Sequence, residues 1–186
     1  MTRVELPTIK GGWPCVLVDP PWRFQSNSEA NPGRNAMRHY ACMSPEKIAD
    51  LPVWTILAAD AWVFLWVTGP FLAIGGHLEI FGRWGLRPSS IGFVWEKGSF
   101  GPGFTTRQSC EFIVIGRRGK PPRKSASVRQ FISEPKREHS RKPDEIYPRI
   151  EALCEGPRLE LFARQSRPGW STWGNEATKF DEMRPK

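Results

Sequence analysis

A short apolar run, Cys15-Val16-Leu17-Val18, breaks off abruptly into Asp19-Pro20-Pro21-Trp22. A partly β-branched segment of this length, ended by an acid and two prolines, reads as a buried strand running into a rigid turn. Proline donates no backbone hydrogen bond and holds φ fixed, so the Asp19 carboxylate and the Pro20 carbonyl would form an edge of acceptors only. Such an edge suits a planar amine. An exocyclic NH2 on a nucleobase can give one hydrogen to each acceptor while its ring stacks on Trp22. The competing reading is a Pro-rich turn with a buried Trp.

The chain of 186 residues is long enough for one domain with a real core, and one domain over 1–186 is expected, its core running from about 15 to 176. No apolar stretch approaches the roughly 18 to 20 residues of a membrane span, and the first residues do not open a signal peptide, so a cytoplasmic protein without a membrane partner is expected. Cys15, Cys42, Cys110 and Cys154 lack paired spacing and have three histidines to join them, which indicates neither a metal site nor a disulfide framework. Cys15 and Cys110 lie in apolar runs and read as buried free thiols.

A net charge of +8 favours an anionic partner. The excess is uneven: Arg117, Arg118, Lys120, Arg123 and Lys124 crowd one Pro/Gly-punctuated loop, and Lys136, Arg137, Arg141 and Lys142 follow. With nine Trp and eleven Phe in the chain, a nucleic-acid partner is expected.

Strand and helix patterns alternate. After Trp22, residues 23–39 show no apolar period and read as a long loop of the kind that serves as a lid. Ser44-Pro45-Glu46 opens a helix ending before Pro52. Residues 61–67 read as a second strand, and Thr68-Gly69-Pro70 starts a helix whose Phe71, Ile74, Leu78 and Phe81 share one face. Further strands are expected over 90–95, 110–115, 128–132 and 159–163, with a second loop over 98–107. A helix begins at Lys142-Pro143-Asp144-Glu145, kinked or delayed by Pro148. The pattern is α/β, with a mostly parallel sheet flanked by helices.

Five segments, in this order, resemble one family: Asp19-Pro20-Pro21-Trp22, His39-Tyr40 before Met43-Ser44, Phe64-Leu65-Trp66-Val67, the run from Glu138 to Glu145, and Glu160-Leu161-Phe162-Ala163-Arg164 leading to Trp173-Gly174-Asn175-Glu176. The family is that of adenine N6-methyltransferases related to the catalytic subunit of the messenger-RNA adenosine methyltransferase, and the likeness is greatest to small bacterial and prophage members. The resemblance implies a Rossmann-like domain using S-adenosylmethionine, with the catalytic segment placed before the main cofactor segment. It implies that Lys142 pairs with the cofactor carboxylate, and that Arg164, Asn175 and Glu176 contact its ribose and adenine side. Glu176 stands where eukaryotic relatives often carry Gln, and an acid there accepts from hydroxyls without donating.

On this reading Asp19, Pro20, Pro21 and Trp22 are the catalytic residues, Asp19 also touches the cofactor, and Trp22 and Tyr40 hold the base. Arg34, Arg38, Arg117, Arg118, Lys120, Arg123 and Lys124 contact phosphates. DNA is favoured over RNA by the resemblance to bacterial members. Methylation of the cytosine N4 amine meets the same acceptor edge, and a nucleic-acid-binding member without turnover is the rival from another class. A homo-oligomer or a partner subunit is compatible with so small a chain.

Overall fold

The computed structural model describes residues 4–22, 42–101, 105–138 and 141–181. In chain order its elements are β1 (Trp13–Val18), α1 (Pro45–Ala49), β2 (Leu57–Thr68), α2 (Gly69–Ala73), α3 (Gly76–Arg83), β3 (Arg87–Gly101), β4 (Gln108–Arg118), β5 (Phe131–Ser133), α4 (Ile146–Leu153), β6 (Arg158–Leu161) and β7 (Trp170–Trp173). The described strands form one seven-stranded sheet in the order β5-β3-β4-β2-β1-β6-β7. Every neighbouring pair is parallel except the two made by β4. The expected mostly parallel α/β sheet is therefore present. β4 runs the other way because residues 102–107 are too few to carry a crossover back to the start of the sheet.

β1 is buried on both faces, and its alternation sorts the core. Val16 and Val18 pack with Ile48 of α1 and Phe81 of α3. Cys15 and Leu17 face the opposite way, toward Phe64, Trp66, Phe93 and the Ile146, Tyr147 and Ile150 side chains of α4. Two helix layers thus sandwich the sheet. Each fully buried Leu, Ile, Val or Phe side chain contributes roughly 1.5–3 kcal/mol to this arrangement. Cys15 and Cys154 are buried free thiols, and the Cys154 S–H donates to Cys15 Sγ at 2.8 Å.

Helix starts follow the sequence signals. Ser44 Oγ accepts from the Lys47 amide at 3.4 Å, with Pro45 in the first position of α1. The expected single helix after Thr68 is instead two short ones: Gly75 adopts φ +70° and ends the first, which glycine does without strain. The break leaves Ile74 and Leu78 exposed rather than on a shared buried face. α4 begins at Ile146, so Pro148 falls in its first turn, where a missing N–H is harmless. Among the described residues, no helix is long and apolar enough to cross a membrane.

β2 and β6 lie on opposite sides of β1. The chain therefore leaves β1 toward one side and later returns to the other, which opens a crevice at the carboxyl ends of β1 and β6. Asp19 is the first residue past β1 and Arg164 follows β6. Their meeting is a consequence of topology.

Candidate active site

Asp19 sits at the top of β1 with its amide donating to Leu161 O at 3.3 Å. Its side chain is almost completely buried. The Pro-Pro turn is pinned on both sides: Trp22 N donates to Pro20 O and Met43 N donates to Pro21 O, each at 2.8 Å. A carbonyl oxygen has two lone pairs, so among the described residues Pro20 O keeps one for a further donor.

Lys142 Nζ crosses the crevice, 3.2 Å from Asp19 Oδ1 and 2.8 Å from Glu111 Oε2, and it lies 5.1 Å from the centre of the Trp66 ring. The other oxygen of Glu111 takes Lys97 Nζ at 3.2 Å. Two acids and two lysines thus alternate across the strand ends. Burial pushes the Asp19 carboxyl up, against the Lys142 cation that pulls it down. Burial would also raise Glu111, but Lys142 and Lys97 hold it at about 2. Lys142 is raised, its own burial outweighed by the Asp19 and Glu111 carboxylates.

The strap that delivers Lys142 is tied down residue by residue. Glu134, just past β5, accepts from the Asp144 and Glu145 amides at 3.2 and 3.3 Å, satisfying donors at the start of α4. Arg137 donates to Lys142 O at 3.0 Å and pairs with Asp144 at 2.6 Å. Arg167 also pairs with Asp144 and stacks its guanidinium 3.7 Å from the Tyr147 ring centre.

Below the strap lies a second buried acid. Glu160 on β6 accepts from the Tyr147 hydroxyl, at 3.1 and 3.2 Å to its two oxygens. Burial and the nearby Asp19 carboxylate raise it to about 8. The linkage sign follows from proton counts. Between pH 4.5 and 8 the folded state keeps a proton on Glu160 that the unfolded state has lost, so stability falls as pH rises through that window. Glu160→Gln should flatten that slope. Urea unfolding of both proteins from pH 5 to 8.5 checks it, and parallel curves would contradict it.

Phe162, the next residue but one, has φ +62°, an uncommon conformation for a bulky side chain. Such backbone persists where the surroundings impose it, frequently at functional sites. Here the Phe162 ring meets Trp173 edge to face at 5.4 Å, and both turns are in close contact: a Cβ on Gly174 would stand 3.0 Å from Phe162 Cα. The Trp-Gly step thereby fixes where Asn175 and Glu176 begin. Glu176 lies 3.8 Å from Arg164 Nε and 2.7 Å from Lys179 Nζ. Asn175 is exposed at the rim, and neither it nor Glu176 lines the cleft itself.

The structure changes the expected role of two groups of residues. Trp22 does not offer an open stacking face: it is 7 % exposed, its Nε1 donates to Trp66 O at 3.0 Å, and Phe71 covers it at 4.5 Å between ring centres. In this conformation it anchors the Pro-Pro turn to β2 and α2. Trp22→Phe keeps the packing and removes one buried hydrogen bond, so it should cost about 1 kcal/mol, read from denaturant unfolding. A loss of several kcal/mol would mean that the ring shape itself is required.

The second group is the basic run. Arg117 and Arg118 pair with Trp62 and Ala61 at the start of β2, whereas Asp19 follows Val18, which is level with Leu65. Four to five residues of strand separate the two levels, about 13–17 Å at 3.3–3.4 Å per residue. Arg117, Arg118, Lys120, Arg123 and Lys124 therefore belong to the opposite edge of the sheet and do not flank a base held at Asp19. The direction of β4, invisible in composition, decides this. Arg118 also donates to Trp54 O and Leu57 O at 2.9 and 3.2 Å, and Lys124 pairs with Glu155 at 3.1 Å. Tyr40, Arg34 and Arg38 lie outside the described residues.

The sequence reading did not single out Glu111 as a site residue, nor the Glu160–Tyr147 pair. Each acid is a lone charge in an otherwise apolar strand, Cys110–Ile115 or Leu159–Leu161, and that is the signal that marks it.

Asp19, Arg141, Lys142, Glu160, Phe162 and Arg164 line the crevice. Its free space is only about 20 Å³, room for a water, because Lys142 lies across it. The groups lining it nevertheless fit an amino-acid-bearing sulfonium nucleoside: a buried cation for a carboxylate, buried acids for positive groups, and Arg164 for hydroxyls. A mostly parallel α/β sheet with a crevice at its switch point is the architecture of an S-adenosylmethionine-dependent methyltransferase, and the chain is one. More narrowly, the chain belongs to the MT-A70 family of adenine N6-methyltransferases, which it matches over residues 13–176. It is 29% identical over 190 residues to the Type II methyltransferase M.MunI of a Mycoplasma species, covering 92% of this chain and 80% of that one. It is 30% identical to the mouse N(6)-adenine-specific methyltransferase METTL4, over 91% of this chain but 38% of the relative. The N6-methyladenosine RNA methyltransferase MTA1 of Cryphonectria parasitica is 30% identical, with 90% and 52% covered.

Proposed function

We propose that this chain transfers a methyl group from S-adenosylmethionine to the exocyclic N6 amine of adenine in DNA. The observation that carries the reading is the buried Asp19–Lys142 pair at the end of β1, beside a Pro20 carbonyl with one lone pair free. The cofactor supplies a methyl group bound to a sulfonium, and the residues supply position and charge. Lys142 would hold its carboxylate, and Arg164 with Glu176 its ribose side.

The adenine amine is a weak nucleophile because its lone pair is delocalised into the ring. Two acceptors, Asp19 and Pro20 O, take its two hydrogens, which favours a pyramidal nitrogen with the lone pair directed outward. Asp19, raised by burial, is the better placed to take the released proton. Asp19, Pro20 and Pro21 form the catalytic turn, with Trp22 holding it.

DNA is favoured because the relative whose length this chain nearly spans is a Type II methyltransferase, whereas MTA1, which acts on RNA, extends well beyond the matched region. A base must leave its stack to reach the crevice, so single-stranded or deformable substrate is cheaper by a few kcal/mol. The test is incorporation of labelled methyl by the purified chain into single- and double-stranded DNA and RNA, followed by nucleoside mass spectrometry. N6-methyladenine in DNA is expected. N6-methyladenine in RNA alone would move the substrate, N4-methylcytosine would overturn the target base, and cofactor binding without incorporation anywhere would favour the inactive-member reading or a missing partner subunit.

A further inference from the structure

The edge of the sheet remote from Asp19 carries a cavity of about 400 Å³ that the active site does not use. Half-buried Trp62 presents an aromatic surface to it, backed by the buried Phe64 and Phe93 on the α4 face of β2 and β3, and Val128 and Leu153 close the far side. Ser90 and Gln130 bring polar groups to it, and Arg123 stands at the wall. The Trp62 indole N–H donates to Pro122 O at 3.0 Å, which ties the basic loop to the cavity.

The charge beside this cavity is not balanced. Arg87 on β3 and Arg117 on β4 are direct cross-strand partners, and Arg117 is also the partner of Trp62, so the three share one row. Like charges directly opposite one another destabilise a ladder. Among the described residues Arg87, Arg117 and Arg123 make no ion pair, whereas Lys124 has Glu155. The one acid of this corner on β2, Asp60, is engaged by the Lys120 amide at 2.6 Å. Arg123 on the cavity wall, with Arg87 and Arg117 in the row of Trp62, brings three guanidinium groups without an ion pair beside an aromatic surface, which fits a ligand that is both anionic and planar.

We propose that this end of the sheet is a second nucleic-acid contact, in which one nucleotide of the substrate strand seats its base against Trp62 and its phosphates on Arg87, Arg117 and Arg123. The proposal rests on the nucleic-acid reading of the active site and extends it to an exosite. Six residues of β4 separate Glu111 from Arg117, about 20 Å of strand. That is the length of about six stacked nucleotides. A strand running around the sheet edge reaches both places, and a shorter one does not. The basic run thus contacts phosphates at a distance from the target base, and sets affinity rather than chemistry.

Anisotropy with labelled single-stranded oligonucleotides of about 4 and about 20 nucleotides, at several salt concentrations, tests this. The triple variant Arg87→Gln, Arg117→Gln, Arg123→Gln should bind the long strand at least about tenfold more weakly, with a salt slope smaller by about 2 to 3, and the short strand, which does not hold both places while stacked, should lose less. Its KM for long substrate should rise with kcat and cofactor affinity unaltered. Halogenated-uracil strands should photo-crosslink to the Trp62 peptide in the parent protein, and Ser90→Trp, which fills the cavity without touching charge, should abolish that crosslink. Equal affinity of triple variant and parent for the long strand, or crosslinks confined to peptides around Asp19, would overturn the proposal. So would crosslinking of adenosine monophosphate at Trp62 with none from the strand. Binding, slope and crosslink are read without turnover, so an absence of methylation would count against the proposed reaction and leave this test standing.

Discussion

Asp19→Asn should lower methyl transfer by about a thousandfold or more while leaving the fold intact. Removing one preorganised group that acts on the reacting centre typically costs 10²–10³ in rate, and loss of a proton acceptor adds to it. Asn keeps the size of Asp19 but turns one acceptor oxygen into an NH2 donor, which faces the substrate amine with the wrong polarity. It also removes the negative partner of Lys142, leaving that cation to Glu111 alone at 2.8 Å. Single-turnover methylation with saturating cofactor separates the two effects: the chemical step should fall, and cofactor affinity should change far less. If instead turnover survives within tenfold, the acceptor edge at the end of β1 is not where the amine sits. A rate restored by raising pH would point to another base.

The turn proposed to hold the amine was legible because it is local. A buried strand, an acid, two prolines and a Trp occupy the eight residues from Cys15 to Trp22, and the geometry of the turn follows from fixed φ angles and missing donors. β2, β3, β4 and β6 are legible for the same reason, as apolar runs. What escaped depends on register and direction. The break at Gly75 separates Phe71 and Ile74 from Leu78 and Phe81 although their spacing is helical throughout. Trp22 turns inward because Trp66 O, forty-four residues away, accepts its indole N–H. The basic run lies at the opposite strand ends from Asp19 because β4 is antiparallel, and the brevity of residues 102–107 was the one local sign of that. Glu111 meets Lys97 only because β3 and β4 pair with that register, and Lys142 reaches Glu111 from a distant strap, so a sequence pattern shows each charge and not the chain they form. β7 was not anticipated as a strand, since its four residues pair with β6 rather than showing a period of their own.

Lys142→Met should be the most destabilising single change in the crevice, by about 3–5 kcal/mol near neutral pH, since it strands buried carboxylates without their cation. Asp19 loses the ammonium 3.2 Å away, and Glu111 keeps only Lys97. The pH dependence identifies the cause. In the parent protein Glu111 is held at about 2, below its unfolded value of 4.5, so its contribution is fully present above about pH 5 and is lost as pH falls toward 2. Without Lys142 both carboxyls move up and take protons in the folded state. The deficit should therefore be largest at pH 8 and shrink as pH falls toward 4, where protonation neutralises the orphaned acids. Methionine preserves the aliphatic stem and its packing over the Trp66 ring, so lost volume does not account for the result. Denaturant unfolding at pH 4, 6 and 8 reads the trend directly, and calorimetric titration of the cofactor reads the second consequence, a loss of affinity where the carboxylate has no cation to meet. A deficit that does not vary with pH would assign Lys142 to packing. Unchanged cofactor affinity would remove it from the binding site while leaving its structural role in place.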